Sequence, residues 1–150
     1  MTNPIRVLAL AILQRDDGKL LLEKGQDTVK NEVFYRPMGG GVEFGEKGAA
    51  ALIREFQEEI GKHISIKSFL GTVENIFNWQ GQPGHQIILL YECKFIDSED
   101  YSREHFPRVD GNLGHIYWRS VAEVRAESAM LYPQEVADLV FGNNKTALSG

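Results

Sequence analysis

Residues 40–61 read GGVEFGEKGAAALIREFQEEIG, and within them Arg54, Glu55, Glu58 and Glu59 fall inside six consecutive positions. Residues 46–60 are predicted to form a helix. At helical pitch, positions three and four apart are neighbours, so the three glutamates share one face. Like charges spaced this way destabilise a bare helix, and a cation between them offsets the repulsion. Ala49, Leu52, Ile53, Phe56 and Ile60 recur at the i, i+3, i+4, i+7 spacing of a buried stripe. That stripe turns the acidic face outward. Gly48 and Ala51 precede Glu55 on the acidic face and predict a clear shelf beside the carboxylates. An acidic helical face is by default a solvated surface, and an EE or REE triplet alone would be read that way. The glycine-rich approach and the full spacing favour a cation site instead.

That spacing is Gly40, five residues, Glu46, seven residues, Arg54-Glu55-Phe56, one residue, Glu58-Glu59, one residue, Gly61. It resembles the signature of the Nudix hydrolases at every fixed position. So many constrained positions at fixed gaps make chance agreement very improbable. Two departures stand beside the match. The final apolar position of the signature is Lys62, with Ile64 the candidate for its packing role. The Pro-Gly-Gly approach is here Arg36-Pro37-Met38-Gly39-Gly40-Gly41, with the proline one place early.

The chain of 150 residues is long enough to bury a core and is expected to form one domain over residues 1–142, with a frayed tail at 143–150. A net charge of −5 argues against nucleic acid as a partner, because broad electrostatic attraction is lacking. An acidic protein that handles phosphates then needs metal ions or local basic groups. The single cysteine, Cys93, excludes an internal disulfide framework and suits a reducing cytoplasm. It falls in a predicted strand and reads as a small core residue. The early apolar run from Val7 to Leu13 is too short to span a membrane. The polar residues after it, Gln14 to Asp17, do not fit a signal-peptide cleavage site.

Val7 to Leu13 reads as a buried strand, Asp17-Gly18 as a hairpin turn and Lys19 to Glu23 as the partner strand. Residues 25–32 read as a loop, followed by a short extended piece from Val33 to Tyr35. Gly61 is placed to end the helix. Ile64 to Trp79 reads as strand with a break at Gly71, and Gln86 to Phe95 is the strongest strand signal. Residues 97–113 read as a long polar loop, and His115 to Trp118 as a short strand. Ser120 is an N-cap for a helix over Val121 to Arg125, and Pro133 opens a last helix that Gly142 closes. The pattern is α+β, and the Nudix resemblance implies a mixed sheet sandwiched between helices.

Carboxylate oxygens suit hard cations, with Mg²⁺ the first choice and Mn²⁺ the second. The resemblance assigns Glu55 and Glu59 as principal metal ligands. It makes Glu58 a further ligand or a water-orienting base, and Arg54 the residue that orients the acids. Glu46 matches a supporting acidic position, and its helical angle points it away from the trio. Gly40 is a candidate to offer a backbone carbonyl to the metal, while Gly39 and Gly61 are structural. Relatives often recruit one more acid from a loop after the sheet. Glu99, Asp100, Glu104 and Asp110 are the candidates here, with Glu104 preferred because His105 and Phe106 could anchor it. Arg36, Tyr35, Phe77 and Trp79 are candidates to contact substrate, although ordinary packing is the default for each aromatic. Trp118 reads as core, and His85 as either surface or substrate-facing.

Together these readings imply metal-dependent hydrolysis of a pyrophosphate bond in a nucleoside diphosphate linked to another moiety: a nucleotide sugar, a dinucleotide or a nucleoside triphosphate. The expected partner is a small nucleotide, with no nucleic acid and no membrane, and a homodimer is among the assemblies the resemblance allows. The alternative is a nucleotide-sensing Nudix-like module without turnover. Such a module is expected to lose helix acids, and this chain keeps them.

Overall fold

The computed structural model describes residues 3–112 and 114–139. The tail expected at 143–150 and the helix end expected at Gly142 lie outside the described residues. The chain runs β1 (Arg6–Ile12), β2 (Leu20–Asp27), β3 (Glu32–Pro37), β4 (Gly39–Gly41), α1 (Gly48–Ile60), β5 (Ile64–Trp79) and β6 (Gln82–Phe95). It continues through a 3-10 turn (Ser98–Ser102), β7 (His105–Pro107), β8 (His115–Arg119), α2 (Val121–Ala126), β9 (Met130–Leu131) and a second 3-10 turn (Gln134–Leu139).

The strands form two mixed sheets, ordered β4-β1-β6-β5 and β7-β8-β2-β3-β9. In the first, β1 runs parallel to β6 and antiparallel to β4. In the second, β2 lies between β3 and β8, antiparallel to both. Alternation along β1 feeds two cores. Leu8, Leu10 and Ile12 join Leu20, Leu22, Tyr35 and residues of α2 and the last turn on one side. Ala9, Ala11 and Leu13 join Leu21, Met38 and the α1 residues Leu52, Phe56 and Ile60 on the other. A strand with apolar side chains on both faces is covered on both faces, and the helices supply the cover.

Several elements depart from the sequence expectation. β2 continues to Asp27 where a loop is predicted from residue 25. Asp27 is buried at 1% exposure because its carboxylate accepts from the backbone N–H groups of Val29, Lys30 and Gln80. These bonds, with Trp79 Nε1 donating to the Gln26 carbonyl at 3.1 Å, tie the β2–β3 turn to the tip of the β5–β6 hairpin. The predicted break at Gly71 is a register shift between Phe69 and Gly71. The long loop at 97–113 contains the first 3-10 turn and β7. The helix expected after Pro133 is a 3-10 turn. Ser120 caps α2 in a reciprocal capping box with Glu123.

α1 begins at Gly48 and ends at Gly61, whose left-handed backbone (φ 68°) lets its N–H bond the Gln57 carbonyl. Its rotation differs from the periodicity reading. Ile53 is turned outward at 38% exposure, whereas Gly48 and Ala51 are buried. A Cβ at position 48 would meet Tyr91 Oη at 2.6 Å and Leu89 Cδ1 at 2.8 Å. The small residues are therefore not an open shelf. They let the helix approach β6 closely and draw the acidic face inward against the strands. Lys62, the departure at the end of the signature, pairs at 3.3 Å with Asp100, which is buried in the first 3-10 turn and also held by Arg103 at 3.0 Å. Ile64 fills the core beside it at 3% exposure.

Candidate active site

The helix acids separate by burial. The side chains of Glu55 and Glu59 are 16% and 12% exposed, and that of Glu58 is 56% exposed. Arg54 organises the first part of the cluster. Its guanidinium bonds Glu46 through two nitrogens, Glu55 at 3.1 Å, Glu58 at 3.2 Å and the Gly41 carbonyl at 3.1 Å. Glu46 lies ahead of the helix and also accepts from Glu43 N–H at 3.1 Å. The Arg54 guanidinium, first by hydrogen bonding, holds the Glu46 carboxyl down to about 2. Glu46 therefore takes its direction from the turn before the helix and not from a helical angle, and Arg54 joins it to Glu55 and Glu58.

β4 supplies the wall. Gly40 pairs with Ala9 of β1, and the Glu55 carboxylate packs directly on the Gly40 Cα. A Cβ there would lie 2.4 Å from Glu55 Cδ, so only glycine leaves room for the acid. Gly39 beside it has φ 153°, and its missing Cβ would strike the Ala9 carbonyl at 1.9 Å.

Glu59 faces a second group, in which Arg36 and Asp110 are named by the sequence reading and Glu23 and Arg108 are not. Glu23 of β2 and Arg36 of β3 are cross-strand partners, joined at 3.2 Å. Alternation puts Glu23 on the same face as Leu21, whose core contains α1. Arg108, after β7, bonds Glu23, approaches Glu59 at 3.5 Å and grips Asp110 at 2.7 and 3.2 Å. Burial, first, and the neighbouring Glu23 and Glu55 charges push the Glu59 carboxyl up to about 8 against the pull of Arg108 and Arg36. Arg108 drives Asp110 well below the usual carboxylate range. The Val109 N–H bonds the Glu59 carbonyl at 2.8 Å, which hangs this loop from the helix.

Of the four loop acids, the structure brings Asp110 to the helix acids. Asp100 is the buried partner of Lys62. Glu99 takes part in the Asp97 cap of the 3-10 turn. Glu104, the preferred candidate, instead lines a separate cavity of about 370 Å³ with Arg15, Lys19, His105, Tyr117, Trp118 and Arg119. Phe106 packs into the core as an anchor, but His105 is exposed and lines that other opening together with Glu104.

Tyr35, expected as a substrate contact, is out of reach of any substrate. It is fully buried in the core on the α2 side, and its hydroxyl donates to Glu127 at 2.8 Å. The residue before it, Phe34, shares the Arg36 face. It is half-buried, and its ring covers Gly25, where a Cβ would lie 2.4 Å from Phe34 Cζ. Phe77 covers Gly84 in the same manner, which gives it a packing role within the hairpin. Trp79 is 49% exposed at the hairpin tip. His85 pairs with Glu74 on the surface at 3.2 Å. Trp118 is core, stacked on Tyr101 with Arg15 over its ring. Cys93 is buried, and burial pushes its thiol up to about 12, so it is no nucleophile. Glu23 was legible only as a polar break in a leucine run, and Arg108 only as one charge in a charged loop.

The donor chemistry fits a hard divalent cation. Glu55, Glu59 and Glu23 are partly buried oxygen donors, and the raised Glu59 carboxyl marks charge that a cation would relieve. In the arrangement described here, no three acids among the described residues converge to hold an ion. The guanidinium groups of Arg54 and Arg108 supply the positive charge between them.

The NUDIX domain model matches residues 4–138. No curated protein matches the chain. Among solved structures, the chain is similar to a NUDIX hydrolase from Nitrosomonas europaea, with a TM-score of 0.61 and 20% identity over 91% of this chain and 84% of that one. It is also similar to a MutT NUDIX hydrolase from Burkholderia pseudomallei, with a TM-score of 0.56 and 24% identity over 81% and 87%. A third similar structure is the MutT protein from Methanosarcina mazei Go1, with a TM-score of 0.59 and 16% identity over 84% of each chain. At such identities the structures speak for the fold. The family match over nearly the whole chain, on a helix whose acids and arginine stand together as described, makes this chain a member of the Nudix family of pyrophosphohydrolases.

Proposed function

We propose that the chain hydrolyses a pyrophosphate bond in a nucleoside diphosphate linked to another moiety, by attack of water at phosphorus, with Mg²⁺ or Mn²⁺ held by Glu55 and Glu59. The observation that carries this reading is the pairing of two half-buried helix acids with a glycine wall on one side and Arg36, Arg108 and Asp110 on the other. When bound, the cation neutralises phosphate charge and makes a bound water more acidic.

The chain's own groups do the rest. Arg54 fixes the direction of Glu55 and Glu58. Gly40 keeps Glu55 against β4 and is the candidate backbone ligand. Glu58, the exposed member, is a further ligand or a water-orienting base. Asp110, held by Arg108 beside Glu59, is the loop acid we assign to the same region. Arg36 reaches the site from β3 and is suited to a phosphate oxygen. Phe34, half-buried on the same face, is a candidate aromatic contact for a base.

The protein is assigned to the cytoplasm as one domain over residues 1–142. Its lone buried cysteine suits a reducing compartment. The expected partner is a small nucleotide, and sedimentation decides whether the working form is a homodimer. Purified protein is tested with Mg²⁺ or Mn²⁺ against nucleotide sugars, dinucleotides and nucleoside triphosphates, with product analysis. Glu59→Gln should abolish turnover. No cleavage across the whole panel would sink the proposal.

A further inference from the structure

We propose that Arg108 is a displaceable internal cation, which holds Glu23 and Glu59 together in the metal-free protein and gives up Glu59 when a divalent ion binds there. This rests on the reading of Glu59 as a metal ligand. The seat of Arg108 is built into the fold. Its side chain is only 10% exposed and is gripped by three carboxylates from three elements: Glu23 on β2, Glu59 on α1 and Asp110 on its own loop. Its stem lies over Gly114, where a Cβ would come within 2.9 Å of Arg108 Cδ.

The three contacts are unequal. Asp110 is held by two nitrogens at 2.7 and 3.2 Å, whereas Glu59 is reached by one at 3.5 Å. The Glu59 contact is the one that yields first, while Glu23 and Asp110 keep their hold on the guanidinium. A divalent ion on Glu59 and a guanidinium beside the same oxygen repel each other in a site screened from water. The two occupants therefore compete, and the competition lowers metal affinity in the free protein. Once clear of Glu59, the guanidinium fork can meet a phosphate oxygen.

The test uses substrate-free, full-length protein and Mn²⁺, followed by electron paramagnetic resonance of the free ion and by calorimetry. R108A should bind Mn²⁺ about tenfold tighter than wild type, within the range of ordinary coupling between sites. R108K, which keeps a charge without the fork, should fall between them. R108A should also melt lower than wild type without metal and recover with Mn²⁺. If R108A does not fold, the wild type still decides the matter. The Arg108 Nε–H resonance, identified by its loss in R108K, should shift when Mg²⁺ saturates the protein. Equal or weaker Mn²⁺ binding by R108A, or an unmoved resonance, overturns the proposal while leaving the hydrolase reading intact. Absence of Mn²⁺ binding by both proteins overturns the two together.

Discussion

Arg54 and Glu46 are joined fork to fork, Nε to Oε2 at 2.8 Å and Nη2 to Oε1 at 2.9 Å, although one residue precedes helix α1 and the other lies in its second turn. The same guanidinium also holds Glu55, Glu58 and the Gly41 carbonyl. Replacing it removes the common partner of three acids. Arg54→Ala should cost about 2 kcal/mol of stability by urea denaturation, as expected for charged hydrogen bonds, and should lower turnover. Arg54→Lys keeps the charge but not the fork, and should restore more stability than turnover. Equal recovery of both would show that charge alone matters.

Glu46 sets a pH dependence. Its carboxyl is lowered from 4.5 to about 2 by Arg54. A depressed acid stabilises the fold fully above its unfolded value, and that contribution is lost as pH falls through the folded one. The wild type should therefore lose more stability than Glu46→Gln between pH 4.5 and about 2. Urea midpoints across that window check it. Parallel curves for the two proteins would remove Glu46 from the acid limb.

Gly40→Ala tests the wall behind Glu55. The new methyl would stand 2.4 Å from Glu55 Cδ, so the carboxylate must move. Misplacement of a reacting group by about 1 Å can cost roughly a hundredfold in rate. Turnover should fall by about that factor while the fold, followed by circular dichroism, persists. Activity near wild type would mean that Glu55 has another position from which to work.

The Lys62–Asp100 pair is open to a double-mutant cycle. Asp100 is 2% exposed, and Lys62 and Arg103 are its two cations. Asp100→Ala, Lys62→Leu and the double variant should show a coupling of at least about 0.5 kcal/mol. Additive losses would reduce the pair to coincidence. Lys62→Leu alone restores the apolar residue of the family pattern and should nonetheless destabilise this chain, because Asp100 loses a partner.

What the sequence allowed to be read follows from the range of each signal. The end of α1 at Gly61 and the Ser120 cap are local patterns, complete within one turn of helix, and both appear as expected. The helix acids and Arg54 were legible because a fixed spacing on one helix needs no partner. The rotation of α1 was not, since Ala51 is buried and Ile53 exposed, and the close approach of Gly48 to Leu89 and Tyr91 on β6 is a contact between elements. Glu23 and Arg36 meet only through the β2–β3 register, and Tyr35 fell to the opposite face by the same alternation. Arg108 and Asp110 depend on where a loop is fastened. Spacing within one element was readable; adjacency between elements was decided by packing.

The bond from Val109 N–H to the Glu59 carbonyl fastens that loop by its backbone, independent of what the loop's side chains are. A replacement loop that kept this one anchor and its distance to β8 would deliver whatever stands at positions 108 and 110 to the same point above the helix. The scaffold thus offers a socket in which residues 108 and 110 are exchangeable parts, while the acids of the helix stay untouched.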